Sequence, residues 1–230
     1  MIACSSLTKF YSGELAECAL HSVDLYIGKG EFVVIRGHVG AGKSTLLRLL
    51  CGLIDPTSGT IEVHGVRLPT GRRRLAALRR TMGIIEQEPR LIEKASIYEN
   101  VALGLEVLGL TGGNLKRKTI ESLRSLGLEA QAGLRPDRLS AGQRQKVCVA
   151  RALAGEPLIV LADEPCRHLD ADGASEVLSY LRWLNLQGST VVAVCGECWP
   201  PMDVPARCLK LTRGRLTIEA AAAKGMKCAC

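Results

Sequence analysis

With 230 residues, 47% of them hydrophobic, the chain can build one sizeable α/β core, alone or with a helical insertion. No run approaches the ~18 apolar residues of a membrane-spanning helix. The start, Met1-Ile2-Ala3-Cys4, lacks the basic-then-apolar pattern of a secretion signal, so a cytosolic chain is expected, any membrane role running through a partner. The net charge is +7, but aromatic residues are only 3%, which argues against base-stacking platforms, and no nucleic-acid partner is expected.

Residues 1–36 read as short strands and turns, the last strand being Glu31–Arg36. A helix follows through Leu46-Leu47-Arg48-Leu49-Leu50, then a turn at Asp55–Gly59 and an alternating strand at Thr60–Gly65. The stretch from Arg67 to Arg90 holds seven arginines against two glutamates, and Arg72–Arg80 suits a short basic helix. A solvated helix face is the plain reading; nucleic acid, anionic lipid or an acidic protein surface are the alternatives. Met82–Ile85 reads as a buried strand ending at Glu86-Gln87.

Residues 96–133 look helical, with a break at Thr111–Asn114 and a second helix near Lys116–Leu126. Gly142–Ala154 is another helix. Leu158–Ala162 is wholly apolar and ends in Asp163-Glu164, as a central parallel strand reads when it delivers acids at its C-terminal end. A helix at Asp172–Asn185, a buried strand at Thr190–Cys195 and two short strands complete a parallel α/β pattern. The tail from residue 220 to 230 is expected to be mobile. The ten cysteines include Cys51, Cys148 and Cys195 inside apolar runs, where they act as small core hydrophobes. Cys195-x-x-Cys198, with Cys208 or Cys166, is one weak zinc pattern beside that reading.

The chemistry centres on Gly37-His38-Val39-Gly40-Ala41-Gly42-Lys43-Ser44-Thr45, which matches G-x-x-x-x-G-K-[ST] between a strand and a helix. In such a loop successive backbone N–H groups converge on an anion, and the helix dipole favours negative charge there. Glycines let the backbone approach phosphates closely. Lys43 suits the β- and γ-phosphates of a nucleotide, and the Ser44 hydroxyl suits Mg²⁺.

The rest of the chain resembles the ABC ATPases over nearly its full length. Leu139-Ser140-Ala141-Gly142-Gln143 is similar to their LSGGQ signature with one glycine replaced by alanine. The resemblance implies an adenine-stacking role for Tyr11, a Q-loop role in catalysis and metal sensing for Gln87, and Mg²⁺ orientation by Asp163. It makes Glu164 the general base and Leu169-Asp170 the D-loop. It also implies the fold: a P-loop NTPase of ABC type. Its central, mostly parallel sheet would carry an antiparallel β subdomain and a helical signature subdomain at about residues 90–150, within a cassette spanning 1–219. In that family Ser140, Gly142 and Gln143 meet the ATP of a second copy, so a homodimer sandwiching ATP is expected, docked on an integral membrane permease at the cytoplasmic face of the membrane.

Within the family, the phosphate loop with Cys51-Gly52, the Ala162–Pro165 stretch and Leu169-Asp170 resemble the cell-division branch and its lipoprotein-releasing and macrolide-exporting relatives. The chain departs in three places. Cys166-Arg167-His168 stands where these relatives usually carry Thr-Gly-Asn, Glu86 stands where an aromatic is common, and Gly196 takes the place of the switch histidine. The last departure makes a switch that binds ATP with little hydrolysis a second reading. A DNA-maintenance ATPase would need a long coiled coil between the phosphate loop and the signature. Here Lys43 and Ser140 are about 97 residues apart without sustained heptads.

Overall fold

A computed structural model of the chain describes residues 1–11, 17–197 and 206–218. The expected mobile tail and Cys198 lie outside them. In chain order the elements are β1 (Ile2–Tyr11), β2 (Glu17–Ile27), β3 (Phe32–Arg36), α1 (Lys43–Leu50), β4 (Ser58–Val63), β5 (Val66–Leu68) and α2 (Arg72–Arg79). Then come β6 (Met82–Ile85), α3 (Ile97–Val107), α4 (Gly112–Arg124), α5 (Ala141–Leu153), β7 (Ile159–Asp163), α6 (Ala171–Leu186), β8 (Thr190–Cys195), β9 (Arg207–Thr212) and β10 (Arg215–Ile218).

Two sheets form. The first is antiparallel, in the order β2-β1-β4-β5. The second runs β10-β9-β3-β8-β7-β6 and is parallel except for the β10 edge. This is the expected architecture, a mostly parallel central sheet with an antiparallel partner sheet. The central strands alternate between two cores. Val192 and Val194 of β8 face the core shared with α1 and the antiparallel sheet. Val191, Ala193 and Cys195 face the core shared with α3, α5 and α6. Burial on both faces explains why these strands read as continuous apolar runs. α3, α4 and α5 also pack on one another, forming the helical region that carries the signature.

Two expectations need correction. The N-terminal strands are not short: β1 has 10 residues and β2 has 11. The buried set of β1 switches phase from Ile2 and Cys4 to Leu7 across Ser6, whose φ is 47°, and the register shifts there. A bulge of this kind breaks the period-2 signal that a sequence reading follows. Likewise α4 starts at Gly112, not near Lys116. Gly109, at φ 88°, ends the preceding turn, and Thr111 is the extended residue before the helix. Gly112 enters the helix at φ 59°, a left-handed conformation that favours glycine, and Gly113 sits in the first turn, where its low propensity costs little.

Candidate functional site

β3 delivers the phosphate loop at its C-terminal end and α1 leaves it with Leu46, Leu49 and Leu50 fully buried. Backbone space decides the glycines. A Cβ on Gly37 would stand 2.3 Å from the Leu211 carbonyl oxygen. Gly42 has φ 102°, and its Cβ would stand 2.2 Å from the Ala19 carbonyl oxygen. Gly40, at φ 78°, has nothing within 4 Å of such a group and faces the open side, and Val39 at the tip is 99% exposed. Ala41 is buried and its carbonyl accepts from the Gly214 N–H at 3.1 Å, which ties the loop to the β9–β10 turn. The result is a cradle closed behind and open in front.

Lys43 is buried, and its Nζ donates to the carbonyls of Gly37 at 2.7 Å and His38 at 2.9 Å. The ammonium is therefore held within the loop it serves. The Thr45 hydroxyl lies 3.3 Å from the Tyr11 hydroxyl, and Lys9 Nζ stands 5.5 Å over the Tyr11 ring. Tyr11 is half-exposed beside the loop, a position from which its ring can stack on a base.

Asp163 ends β7 and is almost fully buried; its Oδ1 has no hydrogen-bond partner. Burial raises its pKa above the ordinary aspartate value, the facing Ser44 hydroxyl lowers it again, the nearby Glu164 charge raises it, and Lys43 and Arg48 lower it. A buried carboxylate oxygen left without a donor, with a serine hydroxyl facing the same group, is a fitting pair of ligands for a hard divalent cation. Ser44, Arg48, Glu86, Gln87 and Asp163 line one cavity of about 180 Å³.

Glu164 has φ 46°, a region that costs a non-glycine residue of order 1–3 kcal/mol. Its N–H donates to the Val194 carbonyl at 2.9 Å, which aims the acid out of the sheet end. Gln87 Nε2 donates to Glu164 Oε2 at 3.4 Å, so the two expected catalytic side chains meet. Arg167 Nη1 stands 3.6 Å from the same oxygen, so the Cys166-Arg167-His168 departure places a cation beside the acid. Its signal was visible: an arginine three residues after the acid, in a turn. His38 Nε2 also pairs with Glu197 Oε1 at 3.0 Å, joining the phosphate loop to the residue after Gly196.

The signature lies elsewhere. Ser140 is the N-cap of α5, its hydroxyl accepts from the Gln143 N–H at 3.2 Å, and Gln143 Oε1 accepts from the Ser140 N–H at 2.9 Å. This reciprocal box leaves Ser140 exposed at a helix N-terminus. A Cβ on Gly142 would stand 2.9 Å from the His168 carbonyl oxygen, so α5 packs directly on the turn after Glu164. The nearby Arg144 pairs with Glu93 and donates to the Pro136 carbonyl. Asp170 caps α6 by accepting from the Gly173 N–H at 2.8 Å. The structure thus gathers Tyr11, the phosphate loop, Gln87, Asp163 and Glu164, and sets Ser140, Gly142 and Gln143 on a separate helix end. Burial pushes the Cys166 and Cys195 thiols up to about 12, which disfavours thiolate chemistry. Among the described residues no group of three His, Cys, Asp or Glu is arranged to hold a metal ion.

Strand, glycine loop, helix and paired acids at one sheet end define a P-loop nucleotide-binding fold, and the chain belongs to the ABC transporter family, whose profile matches residues 20–167. It is 36% identical over 217 residues to the cell division ATP-binding protein FtsE of Mycobacterium tuberculosis, covering 94% of each chain. It is 40% identical over 210 residues to the methionine import ATP-binding protein MetN of Nocardia farcinica, covering 90% of this chain and 63% of that one. The solved dimeric, post-hydrolysis structure of the ATP-binding cassette MJ0796 bound to ADP and Pi superposes with a TM-score of 0.84 at 34% identity, over 94% of this chain and 96% of that one.

Proposed function

We propose that this ABC ATPase is the energy-supplying subunit of a cell-division-type membrane complex. Support comes from the similarity to FtsE over 94% of both chains. In this reading the cassette spans residues 1–219, with a helical subdomain at about 90–150. It sits peripherally at the cytoplasmic face of the membrane. Among the described residues no helix is long and apolar enough to cross a membrane, and in this reading the cassette works through an integral membrane partner.

The observation that carries the chemistry is the orphaned Asp163 oxygen beside the phosphate cradle. Asp163 and Ser44 would hold Mg²⁺, with Gln87 at the edge of the same cavity. The bound ion would neutralise charge on the β- and γ-phosphates. The backbone N–H groups from Gly37 to Thr45 would cradle those phosphates and Lys43 would turn its ammonium to them. Tyr11 would stack on adenine. Glu164 would take the proton of the attacking water, and Gln87 would orient that carboxylate through the bond already present. Ser140, Gly142 and Gln143 would offer their helix N-terminus to the nucleotide of a second copy.

Depletion of the protein tests the branch: failure of cell separation with normal methionine uptake supports it, and lost uptake with normal division replaces it by an importer role. A second reading, a switch with slow hydrolysis, rests on Gly196, whose place beside the Glu164 anchor offers no side chain.

A further inference from the structure

We propose that α2 is a docking face for an anionic lipid surface. Arg72, Arg73, Arg74 and Arg80 are all exposed. Among the described residues none of the four is paired with a carboxylate. Arg117, Arg124 and Arg144 on the helical region, by contrast, each hold a glutamate. Placement is as telling as number. Three arginines occupy the first turn of α2, which has no acidic residue and no side-chain cap. The positive end of the helix dipole repels them there. The arrangement works against the stability of α2 itself, and an anionic surface outside the chain would relieve it.

The shape selects the partner. Successive residues of a helix turn by about 100°, so Arg72, Arg73 and Arg74 fan over roughly 200° of its circumference. A plane studded with anionic headgroups is met by Arg73 on the outer side of the helix, with Arg72 and Arg74 reaching it from the flanks along their flexible stems, and the small exposed Ala76 and Ala77 between them do not obstruct it. α2 contains no aromatic residue, which removes the stacking contacts of a single-strand nucleic-acid binder. The helix is well anchored: Leu78 is buried, and Arg79 donates to the carbonyls of Cys51 at 3.0 Å and Gly52 at 2.8 Å. Those carbonyls end α1, so the lipid-facing helix is fastened to the helix that leaves the phosphate loop. This deepens the peripheral placement proposed above, yet its test needs neither ATP nor a protein partner.

The experiment is flotation of the purified chain with phosphatidylcholine vesicles, plain or containing about one third phosphatidylglycerol, at low and high salt. Binding is expected only to the anionic vesicles and is expected to fade at high salt. The triple variant Arg72→Gln/Arg73→Gln/Arg74→Gln should lose about a hundredfold in partitioning, at roughly fivefold per arginine. Arg72→Lys/Arg73→Lys/Arg74→Lys should keep it. The glutamine variant should bind ATP normally and melt at an unchanged or higher temperature, which separates lost docking from lost folding. Equal binding to neutral vesicles, no loss in the glutamine variant, or capture by duplex DNA but not by anionic vesicles overturns the proposal.

Discussion

Replacing Gly196 by histidine tests whether this cassette departs from fast hydrolysis. Gly196 does not have a left-handed φ, and a Cβ added there meets nothing within 4 Å among the described residues. A Cβ is therefore accommodated by the described residues, and by restricting the unfolded chain the substitution should stabilise the fold by about 0.4–1 kcal/mol. The effect on rate should be larger. Gly196 follows β8, where the Val194 carbonyl holds the Glu164 N–H, and it precedes Glu197, which reaches His38 of the phosphate loop. A side chain at 196 thus arises on the segment that links the strand anchoring Glu164 to the residue paired with the phosphate loop. One positioned contact to transition-state charge is typically worth ~10²–10³ in rate, or ~2.7–4 kcal/mol. The assay is steady-state phosphate release with the membrane partner present, with Gly196→Ala as the control for lost backbone freedom. A rise confined to Gly196→His, with ATP affinity unchanged, supports the missing-side-chain account. A stable Gly196→His that turns over no faster than the alanine control, or family-typical turnover in the parent protein, refutes it.

Lys43→Ala removes a buried ammonium whose charged hydrogen bonds are worth about 1.5–3 kcal/mol each, so ATP affinity should fall at least tenfold, and an unchanged Kd by calorimetry would contradict the assignment. Glu164→Gln should lower turnover by ~10²–10⁴ while leaving ATP binding intact, trapping a dimer on a sizing column; a monomer at saturating ATP counts against the sandwich. Asp163 titrates in the opposite sense to a paired carboxylate. Its folded pKa lies above its unfolded one, so its stabilising contribution is present below the unfolded pKa and disappears as pH rises through the folded pKa. Asp163→Asn should therefore raise the melting temperature of the nucleotide-free protein at neutral pH while abolishing Mg²⁺-dependent ATP binding; a lower melting temperature there would show that the charge is not destabilising. Gly42→Ala forces a Cβ into the Ala19 carbonyl at φ 102° and should cost at least about 2 kcal/mol by urea unfolding.

Local chemistry was legible in the sequence. The glycine spacing around Lys43 needs only consecutive residues to state a phosphate loop, and the apolar run into Asp163-Glu164 states a central strand with acids at its end. The order of Gln87, the signature and those acids fixed the family because each piece is short and contiguous. Long-range contacts were not legible. The bulge at Ser6 hid the length of β1, since a phase shift leaves no period-2 pattern to read. That Gly37 and Gly42 exclude a Cβ follows from the Leu211 and Ala19 carbonyls, which come from strands far off in the chain. The junction of Gln87 with Glu164, the approach of Arg167 to the same oxygen and the His38–Glu197 pair depend on where β6, β7 and β8 end beside one another. Composition recorded an excess of arginines. Only the tertiary structure decided which of them are neutralised by glutamates and which, on α2, are left facing outward, because pairing depends on distance in space and not on distance along the chain.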